Sequence, residues 1–122
     1  MPETGQQDVG PEVAVIHRDA VESVSRGLID TPIAARVAET FRVLGDATRV
    51  RIVHALSLSE LCTCDLAVLL GISEPTVSHH LRTLRQMHLV RSRRQGRLVY
   101  YALDDEHIRH LLDDTLKHAT ES

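Results

Sequence analysis

A mostly α-helical domain with one small β-hairpin is the fold class this sequence predicts, and three observations predict it. Aliphatic residues recur at helical spacing along most of the 122 residues. Only Phe41, Tyr100 and Tyr101 are aromatic, so the core must be built from Leu, Val, Ile and Ala. The one run of high β-propensity, Leu98 to Tyr101, follows a Gln95-Gly96 turn signal and so reads as the second arm of a hairpin.

In chain order, residues 1–10 offer nothing to bury and are expected to form a disordered tail. Residues 11–122 are expected to form one domain, with an N-terminal arm helix and a C-terminal dimerisation helix. Val13, Ile16, Ala20, Val21, Val24 and Leu28 space a first amphipathic helix over residues 12–29. Asp30 or Thr31 caps a second helix from Pro32 to Leu44, with Ile33, Val37, Phe41 and Leu44 on one face. Gly45-Asp46 ends it, and Asp46 caps a third helix whose Val50, Ile52, Val53 and Leu56 are core; Ser57 to Ser59 reads as a loop.

The next segment is organised most tightly. Leu66, Leu69 and Leu70 give a short helix one apolar face, and Gly71 supplies the permissive backbone of a tight turn. Ser73 is a good N-cap, and Pro75 falls in a first turn that needs no N–H from it. Val77, Leu81 and Leu84 form the buried stripe of the helix from Glu74 to Met87. Away from that stripe lie Thr76, Ser78, His79, His80, Arg82 and Arg85. Helix, turn, helix and two-stranded ribbon together make a winged helix–turn–helix, which sets the second helix in a DNA major groove. Arg93, Arg94, Gln95 and Arg97 of the ribbon complete the expected DNA face. From Ser73 to Arg97 six arginines stand against Glu74 alone, a local charge of +5 in a chain of formal charge −3. Such concentration points to phosphate binding rather than to an ordinary solvated surface.

Asp104 or Asp105 caps a last helix over residues 106–119, whose Ile108, Leu111, Leu112 and Leu116 stripe calls for a partner. A second copy is the natural one, so a homodimer is expected. Two cysteines one residue apart are too close for a relaxed disulfide, which fits a reducing cytoplasm. The polar, acidic N-terminus and the lack of a long apolar run predict no membrane partner.

Several stretches resemble the ArsR/SmtB family of dimeric, metal-sensing winged-helix repressors, its zinc- and cadmium-sensing branch most of all. They are Leu44-Gly-Asp-Ala-Thr-Arg49, Glu60-Leu-Cys-Thr-Cys-Asp-Leu66, Ser78-His-His-Leu-Arg82, Arg94-Gln-Gly-Arg97 with Tyr100-Tyr101, and Asp105-Glu-His107. The resemblance covers residues 34–121.

Two metal sites are candidates. His107 and His118 are eleven residues apart, about three turns, so they share a helix face. Asp105 lies just ahead of the first, and Glu121 three residues after the second. These residue types suit a tetrahedral zinc site with N and O ligands. One helix cannot assemble them, since about 16 Å separates the two histidines along it. Two antiparallel copies can, with Asp105 and His107 of one chain meeting His118 and Glu121 of the other. The family's C-terminal-helix site implies the same four positions. The second candidate is Cys62, Cys64 and Asp65, whose thiolates favour softer ions such as Cd(II), Pb(II) or As(III) as well as Zn(II). Cys64 joins the others only if the helix there starts late. His17 and Asp19 are candidate donors from the arm. The soft-metal branches add cysteines that this chain lacks: its arm holds none, and Ala67 stands where the arsenic-sensing branch has its third thiol.

The expected function is repression by a metal-free homodimer on an inverted-repeat operator. Zn(II) binding, or that of Cd(II) or Pb(II), releases the dimer and derepresses metal efflux or sequestration genes. A redox sensor acting through Cys62 and Cys64 is the second reading. A zinc hydrolase is the third, and it has no open coordination position, oxyanion hole or glycine loop to support it.

Overall fold

The computed structural model describes residues 16–121; the expected tail and the start of the expected first helix, with Val13, lie outside the described residues. The chain divides into two units, the first ending at Ala34 and the second beginning at Ala35.

In the first unit, α1 spans Arg18–Gly27, shorter than the residue 12–29 expectation at its C-terminal end, because Leu28 is already extended. None of its residues is buried, and Val21 and Val24 stay more than half exposed. Asp30 caps α2 (Thr31–Leu44), its carboxylate accepting from the Ile33 N–H at 2.9 Å.

The second unit takes up the rest of α2 and continues through α3 (Ala47–Leu58), β1 (Leu61–Cys62), α4 (Thr63–Leu70), α5 (Glu74–Gln86), β2 (Val90–Gln95), β3 (Leu98–Leu103) and α6 (Glu106–Thr120). Its core is aliphatic, as the scarcity of aromatics requires. Val43, Ile52, Val53, Leu56, Leu66, Val77, Leu81 and Leu84 close on Leu89, Val90 and Leu103. Asp46 caps α3 through the Arg49 N–H, Ser73 caps α5 through the Thr76 N–H, and Asp105, rather than Asp104, caps α6 through the Ile108 N–H. Gly71 ends α4 at φ 68°, the left-handed conformation its turn needs.

Three expectations need correction. Ser57 and Leu58 belong to α3 and not to a loop. Val50 does not join the core: it is 39% exposed, and Leu69 on the apolar face of α4 is 58% exposed. With Leu58, Leu70, Leu112 and Leu116 they line an open groove of about 520 Å³, so helical spacing marked an apolar surface that a single chain leaves uncovered. The sheet, finally, is larger than the expected hairpin, which β2 and β3 form. The two residues of β1 pair antiparallel with β3, Leu61 opposite Tyr101 and Cys62 opposite Tyr100, giving a sheet of order β1-β3-β2. Among the described residues, no helix is long and apolar enough to cross a membrane.

Candidate DNA interface and metal sites

α5 is held by its buried stripe, so its other faces are free for contact. Thr76, His79, Arg82 and Arg85 are exposed and Ser78 is half-buried. Among the described residues, neither Arg82 nor Arg85 makes an ion pair. They line, with Ser78 and Tyr101, a groove along the helix. His80 is placed differently. Its half-buried ring accepts, through Nδ1, a hydrogen bond from Arg49 Nε at 3.2 Å, and Arg49 Nη1 also donates to the Val43 carbonyl at 3.0 Å. Burial holds the His80 pKa below the usual imidazole value, only partly offset by the Asp46 carboxylate. His80 thus presents a ring fastened to α3 on one side.

The wing carries four arginines in two environments. Arg94 and Arg97 are exposed and take no part in an ion pair among the described residues. Arg91 is spent on the backbone, Nη1 donating to the carbonyls of Leu103 and Asp104. Arg93 grips both carboxylate oxygens of Glu60, Nε to Oε2 at 2.9 Å and Nη2 to Oε1 at 2.6 Å, and its Nη1 donates to Gln95 Oε1. Its guanidinium also lies over the Tyr100 ring, 4.8 Å from the centroid.

The cysteine cluster assembles within one chain. β1 runs into α4 at Cys62, which is therefore the N-cap, and the late start brings Cys64 round beside it. Cys62 Sγ and Cys64 Sγ are 2.7 Å apart, and the Asp65 carboxylate accepts from the Cys62 N–H at 3.1 Å. One ligand atom from each of Cys62, Cys64 and Asp65 lies within 4.8 Å of the others. Two thiolates on a tetrahedral zinc need about 3.8 Å between sulfurs for bonds of about 2.3 Å, so the pair would open by about 1 Å to seat an ion. The donors fit a soft or borderline metal, one ligand short of four. The Cys64 hydrogen bond, and then burial, push the Cys62 thiol up from its ordinary pKa. The cluster borders a cavity of about 250 Å³ that Glu74 and Ser78 of α5 and Arg97 and Leu98 of the wing also line. His17 and Asp19 are exposed residues of the first unit, at the start of α1.

The C-terminal set is spread out. Asp105 and His107 form one bite, Oδ1 to Nδ1 at 3.7 Å, with the His107 side chain 93% exposed. His118 and Glu121 are exposed at the other end of α6. A single helix presents two half-sites facing solvent, and both halves have the N and O donors zinc takes.

Two residues passed over by sequence reasoning have structural roles. His88 stands at φ 58° just after α5, with the Leu89 N–H bonded to Leu84 O at 2.9 Å and its own N–H to Arg85 O at 3.0 Å. That is a Schellman cap with histidine where glycine is usual. Glu60, next to β1, anchors Arg93; only knowledge of β1 would have paired them.

The model of the family described as "Bacterial regulatory protein, arsR family" matches residues 46–92. The cadmium resistance transcriptional regulatory protein CadC homolog of Staphylococcus aureus is 43% identical over 112 residues, 90% of this chain and 91% of that protein. The transcriptional repressor SmtB homolog of Synechocystis is 42% identical over 108 residues, 88% of this chain and 82% of that protein. A homodimeric winged helix–turn–helix DNA-binding domain from Mycobacterium bovis superposes with a TM-score of 0.67 at 24% identity, covering 98% of this chain and 92% of that one; the likeness fixes the fold.

Proposed function

The chain belongs to the ArsR/SmtB family of metal-sensing winged-helix repressors, and from that premise we propose how it couples metal to DNA. The working unit is a homodimer whose two α5 helices enter successive major grooves of an inverted repeat, half-sites about one helical turn apart. Thr76, Ser78, His79 and Arg82 meet the base edges, and Arg85, Arg94 and Arg97 meet phosphates. Base contacts select the sequence, while the arginines supply most of the salt-dependent affinity.

The observation that carries the sensing reading is α6, which bears Asp105 and His107 at one end and His118 and Glu121 at the other, all exposed. Antiparallel pairing of two such helices joins the half-sites into two symmetric four-donor sites. Zn(II) held there ties the helices into a dimer geometry that fits the operator poorly, and repression of metal efflux or sequestration genes ends. Reciprocity follows: if metal weakens DNA binding, operator DNA weakens metal binding by the same factor. The test is a zinc titration of the purified protein against a competing chelator, with and without operator DNA selected from random sequence by the metal-free form. Two tight sites per dimer, weakened by DNA, are expected; an unchanged affinity in the presence of DNA rejects the coupling.

A second reading draws on the assembled Cys62–Cys64–Asp65 cluster. Its thiols favour Cd(II) or Pb(II) over Zn(II), and the relative named for cadmium resistance supports that preference. Donors from the partner's arm, with His17 and Asp19 as candidates, then complete the coordination. Thiol oxidation is the redox form of the same reading; retained release in a Cys62→Ser/Cys64→Ser variant overturns it.

A further inference from the structure

We propose that Arg93 is a wing-positioning residue and not a phosphate contact, anchored by Glu60 across the face of Tyr100. The inference rests on the reading of the wing as a DNA contact and refines it. Three observations carry it.

The register places Arg93 of β2 opposite Tyr100 of β3, and Tyr100 opposite Cys62 of β1. Residues directly opposite in antiparallel strands point to the same face, so these three side chains form one row across the sheet. Glu60 lies two residues before Cys62, which in extended backbone returns its side chain to that face. The Arg93 guanidinium therefore stands over the Tyr100 ring and reaches back to Glu60, closing two parallel N–H···O bonds of 2.9 and 2.6 Å.

A planar guanidinium that already grips a carboxylate through two N–H groups and Gln95 through a third has little left for phosphate. Its neighbour Arg94 points to the opposite face of β2 by strand alternation, and Arg97 sits in the turn; neither makes an ion pair among the described residues. The pattern divides labour within four residues. Arg93 fixes the angle of the ribbon against β1, and Arg94 and Arg97 use that angle to meet DNA. The same clamp joins the wing to the strand that carries Cys62 of the thiol cluster.

The test is the salt dependence of binding by metal-free protein to a short duplex of mixed sequence. For Arg94→Ala and for Arg97→Ala the log–log slope falls by about 0.9, one counterion-releasing contact each. For Arg93→Ala the slope stays that of the parent, while affinity drops by up to about fivefold at all salt concentrations. A slope loss of about 0.9 for Arg93→Ala overturns the proposal. The reversed pair Glu60→Arg with Arg93→Glu gives a second arm. A clamp is rebuilt by the exchange, so affinity recovers above that of Arg93→Glu alone; a phosphate contact is replaced by a repelling carboxylate, so no recovery follows. If Arg94→Ala and Arg97→Ala also leave the slope untouched, the wing itself is not a DNA contact, and that failure is distinct from failure of the clamp.

Discussion

The cysteine cluster and the C-terminal helix offer opposite halves of a good metal site. Cys62, Cys64 and Asp65 are gathered within 4.8 Å by the start of one helix, yet they number three. Asp105, His107, His118 and Glu121 number four, yet α6 holds them in two pairs far apart along its length. The first has geometry without a complete donor set; the second has the donors without geometry. Each deficiency points to the same remedy, a second chain, but for different reasons. For the thiols a partner adds a ligand, whereas for α6 it brings existing ligands together. In the proposed reading a metal at α6 is a cross-link between two chains, and that cross-link is what would turn binding into a change of dimer shape. A metal at the thiols acts first on its own chain, where the cavity beside it reaches α5 and Arg97.

The largest effect tests whether α6 must be completed by a partner. His107→Ala and His118→Ala homodimers each lose both tight zinc sites. A heterodimer of the two variants is expected to recover one. That site combines the intact His107 of one chain with the intact His118 of the other, while its twin loses both. Co-expressed chains with different tags, titrated with zinc against a chelator, give the answer. No tight site in the heterodimer would break the contrast, since α6 would then not bridge.

The thiol cluster gives the next effect in size. Cd(II) added to the protein produces thiolate-to-metal charge-transfer absorption, which Cys62→Ser abolishes. The same variant still releases operator DNA on zinc addition, because α6 is untouched. Loss of zinc-driven release in Cys62→Ser would merge the two sites into one response and end the comparison.

These contrasts were only partly legible in the sequence, and the reasons are physical. Helix spacing located α2 to α6 because local periodicity reports an apolar face, which in α6 buries no residue within the chain. It misjudged Val50, since periodicity cannot tell a face covered by this chain from one left open. β1 was missed because two residues carry no pattern of their own; they become a strand only through pairing with Tyr100 and Tyr101. That omission hid two consequences, the late start of α4 that brings Cys64 to Cys62 and the placement of Glu60 beside Arg93. The charge count was right in sum but treated all six arginines alike, although Arg91 and Arg93 are bound within the chain. His88, without a pattern in the sequence, is read at once from its positive φ.

The smallest effect separates cap from ligand, because both candidate sites borrow a helix-capping carboxylate. Asp105 accepts from the Ile108 N–H at 3.1 Å while forming a bite with His107, and Asp65 accepts from the Cys62 N–H beside the thiols. Asparagine caps nearly as well as aspartate but is a poor metal ligand, so the two roles come apart on substitution. Asp105→Ala is expected to lower unfolding free energy by about 0.5–2 kcal/mol, whereas Asp105→Asn keeps most of that stability. Zinc affinity behaves otherwise, falling in both variants to a similar extent, because both remove the anionic donor. Denaturant unfolding of the metal-free protein measures the first quantity, and chelator competition the second. If Asp105→Asn binds zinc as the parent does, Asp105 is a cap alone and α6 offers three donors, not four. The same pair of substitutions at Asp65 sharpens the contrast: with two thiolates dominating soft-metal binding, Asp65→Asn should weaken Cd(II) binding less than Asp105→Asn weakens that of zinc.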